Sequence, residues 1–107
     1  MECIVVFVTC PADSSKEIAT KIVEERLAAC VNVVEGVESF YWWQTNLETD
    51  TEAFLIMKTK LELFKSLEEL LRSIHPYENP EIIALPIIQG SSKYLEWIKA
   101  ETRQISG

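Results

Sequence analysis

The chain's single histidine lies in a segment whose residue types suit metal or proton chemistry. Residues 75–80 read His-Pro-Tyr-Glu-Asn-Pro, between an amphipathic stretch and an aliphatic run. An imidazole titrates near neutral pH and binds divalent metals, and proline restricts the backbone beside it. A structural role is the alternative, because a histidine followed by proline is also favourable where a helix ends. The pattern marks His75 as a candidate ligand and leaves the structural role open.

Three cysteines are a second source of metal ligands. Cys3, Cys10 and Cys30 are odd in number and lack the C-x-x-C spacing of structural zinc sites, so reduced thiols are expected. Cys10 lies beside Pro11 near the start of a predicted helix, a setting that can lower a thiol pKa and favour soft metals such as Cu(I). The alternative to a metal-binding thiol is that Cys10 is a small, buried apolar residue.

Composition indicates one folded domain over residues 1–107. Hydrophobic residues make up 48% and charged residues 25% of the chain, which is typical of a globular protein. The net charge of −7 disfavours nucleic acid and anionic lipid as partners. No apolar run approaches the ~20 residues of a membrane span, and no leader pattern is present. A soluble, unprocessed cytoplasmic protein is expected.

Hydrophobic periodicity predicts alternating strands and helices. Each main helix begins with a capping-box pattern, Ser14-x-x-Glu17 in the first and Thr59-x-x-Glu62 in the second. Gly36 suggests a bulge or a bend, and Pro86 favours a sheet edge or a bulge. The predicted strands are 3–9, 30–43, 53–59 and 81–89, with a turn at 44–50; the predicted helices are 14–28, 59–74 and a short one after Gly90.

The order of these elements predicts an α+β fold of the ferredoxin-like split βαβ type, with one helix added at the end. Right-handed crossovers place both main helices on one face of an antiparallel sheet. Apolar residues occupy both odd and even positions of the strands, so the sheet face opposite the helices is apolar as well and must be covered. Another copy of the chain is the simplest cover, which predicts a closed homo-oligomeric ring.

The long hairpin supports this assembly. Residues 40–43 read Phe-Tyr-Trp-Trp, which is too apolar for a free sheet edge. The alternative is that Trp42 and Trp43 bury in their own monomer. Beyond them, Glu48, Asp50 and Glu52 alternate and would share one face if they belonged to a strand, but not if they belonged to a turn.

Segments across nearly the whole chain match one family in order and spacing. They are Arg-Leu-Ala-Ala-Cys-Val-Asn at 26–32, Tyr-Trp-Trp at 41–43, Glu52 with Lys-Thr at 58–59, His-Pro-Tyr at 75–77 with Pro-Glu at 80–81, and Tyr-Leu-x-Trp-Ile at 94–98. Together they resemble the CutA family of divalent-cation tolerance proteins. The resemblance implies a ferredoxin-like homotrimer in a cytoplasmic setting that binds or buffers Cu(II) or another divalent metal. The alternative, second to metal binding, is a regulatory or scaffolding trimer, similar to PII proteins, with a small ligand or protein partner in an intersubunit cleft.

The resemblance also implies where a site would lie. It places metal ligands at His75 and Glu81, within a cleft whose other residues are Tyr41, Trp42, Trp43, Lys58 and Tyr77. Some relatives add a cysteine and a second histidine where this chain has Val8 and Ile74, and neither of these can ligate a metal.

No catalytic function and no organic cofactor are expected. Related ferredoxin-like hydrolases hold an anion in an arginine-bearing loop after the first strand. The corresponding residues 9–13 contain neither arginine nor glycine.

Overall fold

The computed structural model describes residues 2–104, which form four strands and three α-helices. The strands are β1 (Cys3–Cys10), β2 (Cys30–Trp43), β3 (Asn46–Lys60) and β4 (Ile82–Pro86), and the helices are α1 (Ser15–Glu24), α2 (Phe64–Ile74) and α3 (Ser92–Glu101). Short 3-10 turns, Ala12–Ser14 and Leu61–Leu63, precede α1 and α2. The predicted order of elements is confirmed.

The four strands form one antiparallel sheet in the order β2-β3-β1-β4. This is the strand order of the split βαβ unit, because each helix connects strands that are not neighbours. β4 lies at an edge and pairs Pro86 with Ile4, which confirms the edge position that proline requires.

The core lies on one face of the sheet. Alternate residues of β1 and β3 point to this face and pack against the apolar stripes of α1 and α2. Its fully buried members include Val6, Val8, Leu55, Ile22, Leu67 and Leu71. The prediction that both main helices share one face is therefore confirmed.

The opposite face is apolar and only partly covered. Phe7 and Phe54 pack there with ring centroids 5.1 Å apart, and both remain partly exposed. Helix α3 covers one end, where the Cys3 thiol and the Lys60 ammonium reach backbone carbonyls of the helix. The rest of this face, which includes the exposed Ile83, forms the open apolar surface that the strand pattern predicted.

The hairpin between β2 and β3 is longer than predicted. Its turn is not 44–50 but only Gln44 and Thr45, with φ of 49° and 69°, and Trp43 pairs with Asn46 across it. A two-residue turn with φ positive at both positions matches the twist of the flanking strands, so pairing continues to the tip. The bulge predicted at Gly36 is confirmed by its φ of 74° and a register shift around it.

The capping-box predictions were wrong. Ser14 belongs to a 3-10 turn and makes no capping hydrogen bond, while the Ser15 hydroxyl donates to the carbonyl of Ala12 at 2.9 Å. The buried Thr59 hydroxyl instead donates to the carbonyl of Leu27 at 2.7 Å. Tertiary contacts therefore decide where these hydroxyl groups bond.

Helix α1 also ends before Ala28, its predicted last residue. Arg26 has φ of 56°, its N–H donates to the Val23 carbonyl, and the Leu27 N–H donates to the Ile22 carbonyl. These two bonds form the Schellman arrangement that closes a helix.

Candidate functional site

A cleft of about 760 Å³ lies between the hairpin and the segment 76–81. The hairpin supplies aromatic side chains from the end of β2 and a carboxylate from β3. The segment after α2 supplies the opposite wall. The lining includes Tyr41, Trp42, Trp43, Glu52, Tyr77 and Glu81.

The end of α2 positions the second wall. His75 has extended backbone (φ −78°, ψ 135°), as a residue before proline prefers, while its N–H still donates to the carbonyl of Leu71 at 2.8 Å. Pro76 then prevents the helix from continuing. The chain turns across the end of the sheet, which brings Tyr77 to β3.

His75 lies behind this wall and is only 8% exposed. Its Nδ1 accepts a hydrogen bond from the Tyr77 N–H at 3.1 Å, and its Nε2 lies 2.8 Å from the carbonyl oxygen of Thr9. Because a carbonyl oxygen only accepts, Nε2 carries the proton and donates. The Nε2 bond holds the segment against β1 and the Nδ1 bond fixes the turn at Tyr77, so binding a metal would require one of these bonds to break.

Glu52 is the buried carboxylate of the cleft. It is 4% exposed, and its Oε2 accepts a hydrogen bond from the Tyr77 hydroxyl at 2.6 Å. Burial, and then the bond to Glu52, raise the pKa of Tyr77 well above its ordinary value. Among residues 2–104, no donor bonds to Oε1 of Glu52. One carboxylate oxygen in the lining is therefore available to a ligand.

Glu52 belongs to a row of carboxylates on β3. Because residues 46–60 form a strand, Glu48, Asp50 and Glu52 point to one face of the hairpin. The Tyr41 hydroxyl donates to Asp50, and this bond is the main reason that the pKa of Tyr41 rises to about 12. The hairpin therefore presents negative charge beside the cleft.

Cys10 belongs to the core and does not line the cleft. It is fully buried, and burial, reinforced by the charges of Glu52 and Asp13, raises the pKa of its thiol to about 11. Of the two alternatives for Cys10, the small buried residue is confirmed and the lowered pKa is wrong, because desolvation outweighs the nearby start of α1. None of the three cysteines forms a disulfide, as expected.

Lys58 does not line the cleft within the described chain. Its ammonium donates to the side chain of Asn32, on the open apolar face of the sheet and beside Cys30 in the strand register. The cleft therefore lacks the cation expected there.

The donor set does not fit a resident metal ion in a single chain. In the part of the chain that the structure describes, no three histidine, cysteine or acidic side chains come together to hold one. Glu81 is exposed in the wall of the cleft, while His75 bonds to the backbone behind it. Tight sites use three or four protein ligands. Metal binding by His75 and Glu81 stays a prediction.

Comparison with known proteins identifies the family. The family model described as "CutA1 divalent ion tolerance protein" matches residues 4–101. The chain belongs to the CutA1 family. The sequence resemblance is thereby confirmed.

Relatives of this CutA1 chain occur in plants, animals and bacteria. The chain is 50% identical to the chloroplastic rice protein CutA 1 over 94% of its own length and 58% of the relative's. It is 46% identical to the divalent-cation tolerance protein CutA of Thermus thermophilus over 92% of its own length and 96% of the relative's. The chain thus spans a little over half the length of the plant protein and nearly all of the bacterial one.

Solved CutA1 structures share the fold. The crystal structure of rice CutA1 superposes with a TM-score of 0.95 at 48% identity, covering 98% of this chain and 97% of that one. The Thermus thermophilus structure superposes with a TM-score of 0.92 at 44% identity, covering 94% of this chain and 99% of that one. The α+β arrangement is therefore that of the family.

The cellular setting of this CutA1 chain stays a prediction. Within residues 2–104, no helix is long and apolar enough to cross a membrane. The rice relative is named chloroplastic, and the Archaeoglobus fulgidus structure is described as a periplasmic divalent cation tolerance protein. Relatives therefore occupy more than one compartment.

Sequence reasoning did not place Glu52 among the site residues. It stood just after the predicted turn 44–50, which contains Glu48 and Asp50, and before the predicted strand 53–59. Their alternation at every second position was the available signal, since it is the spacing of one strand face. Only the tertiary fold brings Tyr77 to that face.

Proposed function

We propose that this CutA1 chain acts in divalent-cation tolerance as a regulatory binding protein whose ligand occupies the cleft. The observation that carries the proposal is the cleft itself, with a buried carboxylate between aromatic walls. Its volume of about 760 Å³ lies within the range of small-molecule sites. The alternative, a resident metal centre, receives less support because both nitrogens of His75 already have partners.

The test of this proposal is ligand-observed NMR with a library of small molecules of positive, negative and zero charge. Trp43 lines the cleft and is 39% exposed, while Trp97 on α3 is 41% exposed and lies elsewhere, so Trp97→Ala is a matched control for Trp43→Ala. We expect compounds that bind the wild type and Trp97→Ala but not Trp43→Ala. If no compound of any charge depended on Trp43, the proposal would be wrong.

The proposed assembly is the homotrimer that the family resemblance implies. The open apolar face of the sheet supports an oligomer, because a monomer would leave it in water. Exposed aromatic residues on the hairpin, such as Phe40 and Trp42, support the same conclusion. The number of three rests on the resemblance alone.

Sedimentation of matched variants tests the assembly. Ile83 on the apolar face is 51% exposed in the single chain, and Leu61, outside this face, is 49% exposed. We expect Ile83→Glu to give monomers at micromolar concentration and Leu61→Glu to keep the wild-type mass. A wild type that sediments as a monomer would contradict the assembly.

Divalent-metal binding or buffering, with Cu(II) as the expected ion, is the second candidate function. It is supported by two carboxylates, Glu52 and Glu81, that line the same cleft. Two ligands suit a weak, partly hydrated site. Calorimetric titration of metal-free protein with Cu(II) tests this candidate. Saturable binding that is lost in Glu81→Gln would favour it over the regulatory function, and absence of binding would remove it.

A further inference from the structure

The charge of the cleft walls limits the ligands that it can hold. Three carboxylate residues, Glu52, Glu78 and Glu81, line it. No lysine, arginine or histidine does so among the described residues. Two aromatic side chains of the lining, Tyr41 and Tyr77, have hydroxyl groups that donate to carboxylates. Among the residues that the structure describes, an anionic ligand would meet like charge with no compensating side-chain cation.

Glu52 gives this charge a specific position. A buried carboxylate is costly unless donors satisfy its oxygens. The Tyr77 hydroxyl satisfies Oε2, whereas Oε1 has no donor within residues 2–104 and faces solvent, because no buried side-chain oxygen in that range lacks a partner. The residue is 4% exposed and lies in the cleft lining. A ligand that brings an N–H donor with positive charge would replace water at Oε1 and pair with the carboxylate.

The aromatic walls favour an organic cation over a bare metal ion. Trp42, Trp43, Tyr41 and Tyr77 line the same cleft as Glu52. An ammonium group is attracted to aromatic faces, and its hydrocarbon body is desolvated against them. A metal ion uses neither the aromatic walls nor most of the roughly 760 Å³ volume.

We propose that the ligand of this cleft is an aliphatic amine, with its ammonium group on Glu52 and its hydrocarbon chain on the aromatic walls. The proposal rests on the proposed function, because it names the class of ligand for the same cleft. Glu81, at the exposed side of the cleft, supplies a second carboxylate, so a diamine would be favoured over a monoamine.

Calorimetry with three probes of equal chain length tests the charge requirement. Hexamethylenediamine carries two positive charges, hexamethylene glycol is neutral and adipate carries two negative charges. We expect the diamine to bind at least about tenfold more tightly than the glycol, because hydrogen bonds to charged groups are the stronger ones. We expect no detectable binding of adipate.

Two matched variants locate the binding. Glu52→Gln keeps an acceptor for the Tyr77 hydroxyl but removes the charge, and it should weaken diamine binding at least about tenfold. Glu62→Gln removes an equal charge from an exposed site outside the cleft and should bind as the wild type does. Circular dichroism confirms folding, and Glu81→Gln, at an exposed residue, provides a second cleft variant.

The outcomes separate this inference from the proposed function. Diamine binding that is unchanged in both Glu52→Gln and Glu81→Gln would overturn the inference. So would Trp43-dependent binding of adipate or glycol in preference to the diamine, although the cleft would then still be a ligand site. Failure of every compound, in these titrations and in the wider library, would overturn the proposed function as well.

Discussion

Replacing His75 tests whether its ring is structural or free to ligate. The imidazole makes two hydrogen bonds, to the Thr9 carbonyl at 2.8 Å and from the Tyr77 amide at 3.1 Å, and is 8% exposed. Each bond contributes about 1 kcal/mol, and the lost packing of a buried ring adds about another. We therefore expect His75→Ala to lower the free energy of unfolding by about 3 kcal/mol.

The two bonds can be separated by smaller changes at His75. Asparagine has an acceptor near the position of Nδ1 and can keep the bond from the Tyr77 amide. Glutamine has a donor near the position of Nε2 and can keep the bond to the Thr9 carbonyl. Each variant should therefore lose less stability than His75→Ala.

The assay is urea denaturation followed by far-ultraviolet circular dichroism. Protein concentration is held fixed, because the stability of an oligomer depends on it. Lys65→Ala, at an exposed residue of α2, serves as the control and should change stability by less than about 0.5 kcal/mol. A His75→Ala protein as stable as the wild type, but with lost Cu(II) affinity, would refute the structural role.

Three further predictions concern the backbone conformation of Thr45 and the raised pKa values of Cys10 and Tyr41. Thr45→Gly should raise the free energy of unfolding by about 1 kcal/mol, because β-branched Thr45 has φ of 69°; an unchanged urea midpoint would argue against strain. The pKa of the Cys10 thiol is about 11 instead of 9.0, so at neutral pH it should react with iodoacetamide about 100-fold more slowly in the native protein than in urea. Mass spectrometry measures both rates, and equal rates would disprove the burial of Cys10. The pKa of Tyr41 is raised from 10.0 to about 12, so its stabilising contribution should be complete below pH 10 and disappear as pH rises through 12. Urea denaturation at alkaline pH should show a smaller loss of unfolding free energy in Tyr41→Phe than in the wild type. Identical profiles of stability against pH would contradict the bond to Asp50.

Sequence pattern predicted those parts of the fold that depend on hydrophobic periodicity. The apolar run in β1 and the stripe that ends α2 before Pro76 need only local information, and both are confirmed. The hairpin turn could not be predicted, because Gln44 and Thr45 are not the glycine or asparagine that usually signal positive φ. The Thr59 hydroxyl was misassigned because its acceptor lies far away in sequence.

The candidate site was harder to predict for the same reason. A histidine before proline looks the same in sequence whether its nitrogens face solvent or bond to the backbone. Only the fold brings the Thr9 carbonyl within 2.8 Å of the His75 ring. Similarly, Cys10 was expected just after the first strand but is the last residue of β1, and its pKa depends on how completely the core surrounds it.

The hairpin physically connects the proposed ligand cleft with the proposed trimer interface. Phe40, Trp42 and Trp43 all line the cleft, and Phe40 and Trp42 also present exposed surface that the proposed trimer would partly bury. A ligand held against Trp43 would therefore contact the same element that joins the subunits. If the assembled hairpin binds the ligand more tightly than the free one, linkage requires the ligand to favour assembly by the same factor. The amine probe should then lower the concentration at which subunits dissociate, and this shift should vanish in Glu52→Gln, whose hairpin surface is unchanged.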